Sequence, residues 1–191
     1  MEKIIPNLWY DKEAKEAVEF YVSVFDNSRI LDRTVIYDTP SGDAEMLSFQ
    51  LEGQLFSAIS GGPFFKLNPS VSLMVACSTV AEVDKKYAAL SQGGVDLMPL
   101  GEYPFSKRYA WTQDRYGLSW QLMLSEEPNI PENYRQKITP CLLYSGAVCG
   151  KTEEAVRFYT DVFKGGTVDL LSHYQEGEAQ LPQAKINFAG F

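Results

Sequence analysis

The chain has 191 residues, 45% of them apolar and 22% charged, which is ordinary composition for a protein with at least one real core. A formal net charge of −8 and a pI near 4.7 argue against a nucleic-acid partner, because phosphate backbones are held by concentrated basic surface, and the densest basic groups here are only Lys85-Lys86 and Lys107-Arg108. No run approaches the roughly 20 apolar residues of a membrane span, and the opening MEKIIPNLWYDKEAKEAVEFY lacks the pattern of a secretory leader, so no membrane partner and a cytoplasmic setting are expected.

In chain order, residues 4–10 read as a short strand with Pro6 near its start, where a missing N–H is tolerated. Residues 13–25 carry apolar side chains at 14, 17, 18, 21, 24 and 25, the spacing of a helix with one buried face, and Asp11 is its expected N-cap. Strands follow at 30–37 and 46–52, the second alternating Leu47, Phe49 and Leu51 with Ser48, Gln50 and Glu52. A tight turn at Glu52-Gly53 leads into LFSAIS, and Gly61-Gly62-Pro63 ends the unit. The order is β-α-β-β-β.

Residues 70–125 repeat that order more loosely. VSLMVAC is a strand, and TVAEVDKKYAALSQGG is a helix capped by Thr79 and stopped at Gly93-Gly94. A short strand near 95–98, a loop GEYPFSK, and the strands RYAWTQD and LSWQLML complete the unit. The polar, proline-containing stretch 126–137 is the expected linker.

From residue 138 the beginning of the chain is written again. ITPCLLY (138–144) matches IIPNLWY (4–10), EEAVRFYTDVF (153–163) matches KEAVEFYVSVF (15–25), and AKINFAGF (184–191) faces LSFQLEGQ (47–54). The order of matches is kept throughout, which marks a duplication. The expected fold is α+β: paired βαβββ modules (1–63 and 70–125) forming a curved, cup-like mixed sheet, plus an incomplete third module at 138–191. The cysteines at 77, 141 and 149 form no CxxC, and neither a disulfide framework nor a zinc site is expected.

The pattern PxLxYxxxAxEAVxFYxxVF with GGPFFKL and DRYGLSWQL resembles the PhnB-like branch of the vicinal oxygen chelate superfamily, the glyoxalase, bleomycin-resistance and extradiol dioxygenase group. The resemblance covers 3–125 fully and 138–191 in part. It implies a cup holding either a small molecule or a divalent ion on His and Glu ligands. Transferred residue by residue, the ligand positions fall on Pro6, near Ser72, on Ser57 or Ser60, and on Gln121, all poor ligands for zinc, iron or nickel. No metal and no cofactor are therefore expected.

Strand alternation then nominates the cup lining: Tyr10, Ser48, Gln50, Ser57, Ser72, Met74, Ser119 and Gln121. The stretch 102–108 is open to two readings, a lid or an ordinary loop with its aromatics packed down. The expected function is a metal-free module that binds an unknown small molecule, as a homodimer, since cups of this superfamily often form across two chains. The alternative is an enzyme (lyase, isomerase, dioxygenase or thiol transferase) with a displaced metal site. Methyl transfer, a label this branch has carried, finds no GxGxxG-type nucleotide loop here.

Overall fold

In the computed structural model, which describes residues 4–125, 136–163 and 165–191, β1 (Asn7–Tyr10), α1 (Ala14–Val24), β2 (Arg29–Thr39), β3 (Gly42–Leu51) and β4 (Gln54–Ser60) form the first module. Its sheet runs β1-β4-β3-β2, with β1 parallel to β4 and the other pairs antiparallel. The helical spacing places Ala14, Ala17, Val18 and Tyr21 in the core. Asp11 does not cap α1. Its carbonyl continues the β1 ladder by accepting from Gly62 N–H (3.0 Å), and the first helical N–H, of Ala14, bonds instead to Ser60 Oγ from β4 (3.3 Å). The β3–β4 hairpin turns through Glu52 and Gly53 at φ 49° and 81°, the paired left-handed conformation of a two-residue hairpin loop.

The second module repeats this with β5 (Val71–Cys77), α2 (Val80–Leu90), β6 (Val95–Tyr103), β7 (Ser106–Gln113) and β8 (Ser119–Leu124). Thr79 caps α2 as expected, its Oγ1 accepting from Glu82 N–H at 3.1 Å, while the Glu82 carboxylate accepts in return from Ser78 N–H at 2.8 Å. The stretch 101–107 is not a loop. It is the tip of the β6–β7 hairpin, where Tyr103 and Phe105 stack on one another and both meet Tyr109 edge-on. A further strand, β9 (Ile138–Leu142), lies outside β5, so this sheet runs β6-β7-β8-β5-β9. The stretch assigned as linker lies mostly outside the described residues.

The two modules share one core and meet through their helices. Trp120 of β8 packs against Tyr21 (5.3 Å) and Phe25 (5.1 Å) of the first module. Beneath it the buried Asp114 carboxylate accepts from Tyr21 Oη, Trp120 Nε1 and the N–H groups of Tyr116 and Leu118, all within 3.1 Å. The chain divides into two compact units, Met1–Cys141 and Leu142–Phe191. In the second, α3 (Thr152–Val162) accompanies an antiparallel pair, β10 (Leu170–His173) and β11 (Ile186–Gly190). No helix among the described residues is long and apolar enough to cross a membrane.

Candidate functional site: the open sheet faces

Each sheet of the first unit turns one face to the shared core and the other away from it. Which residues take which face follows from register. In the first sheet Leu8, Tyr10, Leu47, Phe49, Phe56 and Ala58 are core. The opposite face carries a polar row across all four strands: Asn7 opposite Ser57, Ser57 opposite Ser48, and Ser48 opposite Asp32. Ser48 and Ser57 thus lie together on the open face, both half-buried. Gln50 shares it, its Nε2 donating to Gly53 O at 3.3 Å.

Tyr10 does not join them. Its side chain is in the core, with its hydroxyl 3.1 Å from that of Tyr21, and burial pushes its ionisation far above the ordinary range for a phenol. The physical reason is α1, which covers the Leu8 and Tyr10 side of β1. The same parity turns Pro6 toward the core side, so the cup-facing residue at the start of β1 is Asn7, another neutral side chain. Glu52, which strand alternation also gave to the polar face, is instead taken by the turn and pairs with Lys86 of α2 (3.2 Å).

In the second sheet the open face holds three aligned rows. Ser72, Ser119 and Gln113 form one, Met74, Gln121, Trp111 and Met98 the next, and Ala76, Met123 and Tyr109 the third. Four of the nominated residues, Ser72, Met74, Ser119 and Gln121, are brought together here. Their polar atoms are already used. Tyr109 Oη donates to Gln121 Oε1 (2.6 Å), Gln121 Nε2 donates to Ser72 Oγ (2.7 Å), and Trp111 Nε1 donates to Ser119 Oγ (2.7 Å). Ser72 and Ser119 are buried beneath these partners. The exposed part of the face is therefore Met, Trp and amide surface without a charge among the aligned residues.

Tyr109, Trp111 and Cys141 were not nominated from sequence. The usable signal was in RYAWTQD: Ala110 and Thr112 are small because α2 lies over them, which sends the large Tyr109 and Trp111 to the other side. Cys141 lies near Tyr109, and burial pushes its thiol up to about 11, partly offset by a hydrogen bond with the Met74 backbone. Burial, with Cys141 and Tyr103 nearby, likewise raises the Tyr109 phenol. Neither is a nucleophile near neutrality. A second concavity of about 380 Å³ lies between the end of β1, the inter-module connector and the 115–117 turn. It is lined in part by Trp9, Phe65, Lys66 and Tyr116.

The donor set does not suit a divalent transition metal. Apart from the Asp32 carboxylate in the row of the first sheet, the aligned rows of the open faces offer amides, hydroxyls, thioethers and aromatic side chains. Both side-chain ends of Gln121 are engaged, and among the described residues no three His, Cys, Asp or Glu side chains stand close enough to share an ion. His173, the sole histidine of the sequence, is an exposed residue of the β10–β11 pair.

Paired βαβββ modules with open, curved faces define a protein of the vicinal oxygen chelate superfamily, in its PhnB-like branch. The chain belongs to the family described as 3-demethylubiquinone-9 3-methyltransferase, whose model matches residues 2–123. It is similar to the PhnB protein from Bacillus cereus, at 40% identity over 65% of this chain and 100% of that one, with a TM-score of 0.60. Protein PA1353 from Pseudomonas aeruginosa (18% identity, 66% and 100% of the two chains, TM-score 0.58) shares the fold. So does a glyoxylase/bleomycin resistance protein/dioxygenase domain from Frankia sp. EAN1pec (16% identity, 68% and 96%, TM-score 0.50). No curated protein matches.

Proposed function

We propose that the first unit is a metal-free small-molecule-binding module, and that its ligand is uncharged, flat and largely apolar. The observation that carries this reading is the second sheet's open face, where Trp111, Met74 and Met123 surround a closed hydrogen-bond chain, Tyr109–Gln121–Ser72. A charged ligand would lose hydration there without a countercharge. Aromatic and thioether surface rewards a planar apolar one. Closure of the cup falls to a second copy: the modules meet helix to helix, so each open face points away from the shared core, and two copies in a homodimer supply opposing faces.

Trp111 provides the readout. Titration with neutral polycyclic aromatics is expected to quench its fluorescence saturably, and Trp111→Ala to weaken binding at least tenfold while the unfolding midpoint stays near wild type. Sedimentation at micromolar concentration is expected to give a dimer. Stoichiometric zinc, nickel, iron or manganese in protein purified without added metal, together with turnover that follows the metal content, would establish the enzyme reading instead.

A further inference from the structure

The phrase GGPFFKL (61–67) and the turn DRYG (114–117) lie outside the strands and contribute nothing to the open sheet faces. Both line the concavity of about 380 Å³, together with the end of β1 and the stretch leading into α1. Its apolar wall is fixed in place. Trp9 Nε1 donates to Gly62 O at 2.8 Å, and Phe65 meets the indole edge-on at 5.2 Å. The ring lies so close over Gly61 that a Cβ there would stand 2.4 Å from it. The cationic side is held as well. The Arg115 guanidinium stacks on Phe20 (4.3 Å) and Tyr116 (4.8 Å). It donates to Tyr116 Oη at 2.9 Å, which donates on to Glu16 at 2.8 Å. Among the described residues neither Arg115 nor Lys66, the two cations lining the concavity, is paired with a carboxylate. Two carboxylates line it too. Glu13 accepts from the neighbouring Lys12 N–H at 3.0 Å. Asp11 does not cap α1, because Ser60 Oγ takes the Ala14 N–H, and among the described residues its carboxylate has no partner.

We propose that this concavity is a second ligand site, separate from the sheet faces, and that it takes the zwitterion of an α-amino acid with an aromatic side chain. The acids stand on one segment and the bases on the other two, around an aromatic wall. The guanidinium fork of Arg115 holds the α-carboxylate, with Lys66 as a second point charge. Asp11 and Glu13 receive the α-ammonium, and the ligand's ring packs against Trp9 and Phe65. A simple anion would meet the two acids and a simple cation the two bases, whereas a ligand carrying both charges satisfies both sides.

Calorimetric titration of the full chain with L-phenylalanine is expected to show saturable binding. L-alanine lacks the ring, 3-phenylpropanoate the ammonium and phenethylamine the carboxylate, and each is expected to bind at least about tenfold more weakly. Arg115→Gln and Asp11→Asn, both at exposed positions, are expected to weaken L-phenylalanine binding by a similar factor while the circular dichroism spectrum stays that of wild type. Absence of binding at millimolar L-phenylalanine overturns the proposal, as does equal binding of any one of the three analogues. An affinity that both substitutions leave unchanged overturns it too. Loss of binding in Trp111→Ala would place the amino acid on the sheet face, and would equally overturn it.

Discussion

Asp114 is the residue on which the first unit turns. Four donors from three segments converge on one buried carboxylate: the Tyr21 hydroxyl, the Trp120 indole, and two N–H groups of its own turn. Burial raises its pKa above the ordinary 3.8, and the four hydrogen bonds only partly oppose that rise. Asp114→Asn keeps the shape but cannot accept from all four donors. Its amide N–H is turned toward the Trp120 indole or the turn's own N–H groups, which can only donate, so a loss of about 3 kcal/mol is expected from urea unfolding at neutral pH. The pH dependence has a definite sign. Since the native pKa is raised, the native state holds the proton more tightly than the unfolded chain. The advantage of wild type over Asp114→Asn is therefore largest below pH 3.8 and shrinks as pH rises through the native pKa. An advantage that grows over that range would contradict the assignment. None of this was legible from DRYGLSWQL beyond a turn, because a turn's own residues do not reveal that Tyr21, 93 positions away, donates into it.

At the scale of elements, the open faces were half legible. Ser48 and Gln50 lie on the open face because β3 alternates cleanly, and the parity of β8 with β5 groups Ser72, Met74, Ser119 and Gln121. Tyr10 went to the wrong side because its strand was oriented by a metal-ligand position. Applying to β1 the rule used for β3, apolar toward the helix, would have put Leu8 and Tyr10 in the core and Asn7 outside. Glu52 was lost to a different cause, an ion cluster formed only in three dimensions. Lys86, 2% exposed, contacts Glu52 (3.2 Å) and Glu82 (3.4 Å), and Lys137 reaches Glu82 at 2.7 Å. This cluster ties α2, the β3–β4 turn and the approach to β9. Lys86→Met preserves bulk but strands a buried carboxylate, with an expected cost of about 3 kcal/mol, of which Glu52→Gln in the same chain should restore at least half. Equal losses in the single and double variants would show that the two charges are not coupled. Burial raises the pKa of Glu82, but Lys137, the Ser78 N–H and Lys86 outweigh it and leave it lowered. Its share of stability is accordingly present above pH 4.5 and lost as pH falls through the native value.

The helix phrase at 18–25 recurs at 156–163 in a second compact unit, the two helices are unequally covered, and that inequality should appear in how the molecule unfolds. The helix phrase repeated at 18–25 and 156–163 made the duplication legible from sequence, but pattern alone assigns the same buried face to both copies. Burial is set by what lies opposite, and only the first copy has Trp120 there. In the first unit this seam is continuous: Tyr21 and Phe25 are sealed by an indole that is itself fully buried, so this part of the core belongs to both modules. Trp120→Ala opens a large cavity between them, with an expected loss of about 4 kcal/mol. Because the cavity belongs to both modules, α1 and β8 amides should lose exchange protection by equal amounts, as one cooperative body. Residues 142–191, in which Val156 is the buried residue of α3, have far less apolar burial to offset chain entropy. Their amides are expected to exchange at lower denaturant than those of the first unit, and to be untouched by Trp120→Ala. Loss of protection confined to β8 would mean that the modules are only in contact. Equal loss throughout α3 would mean that the two units unfold as one.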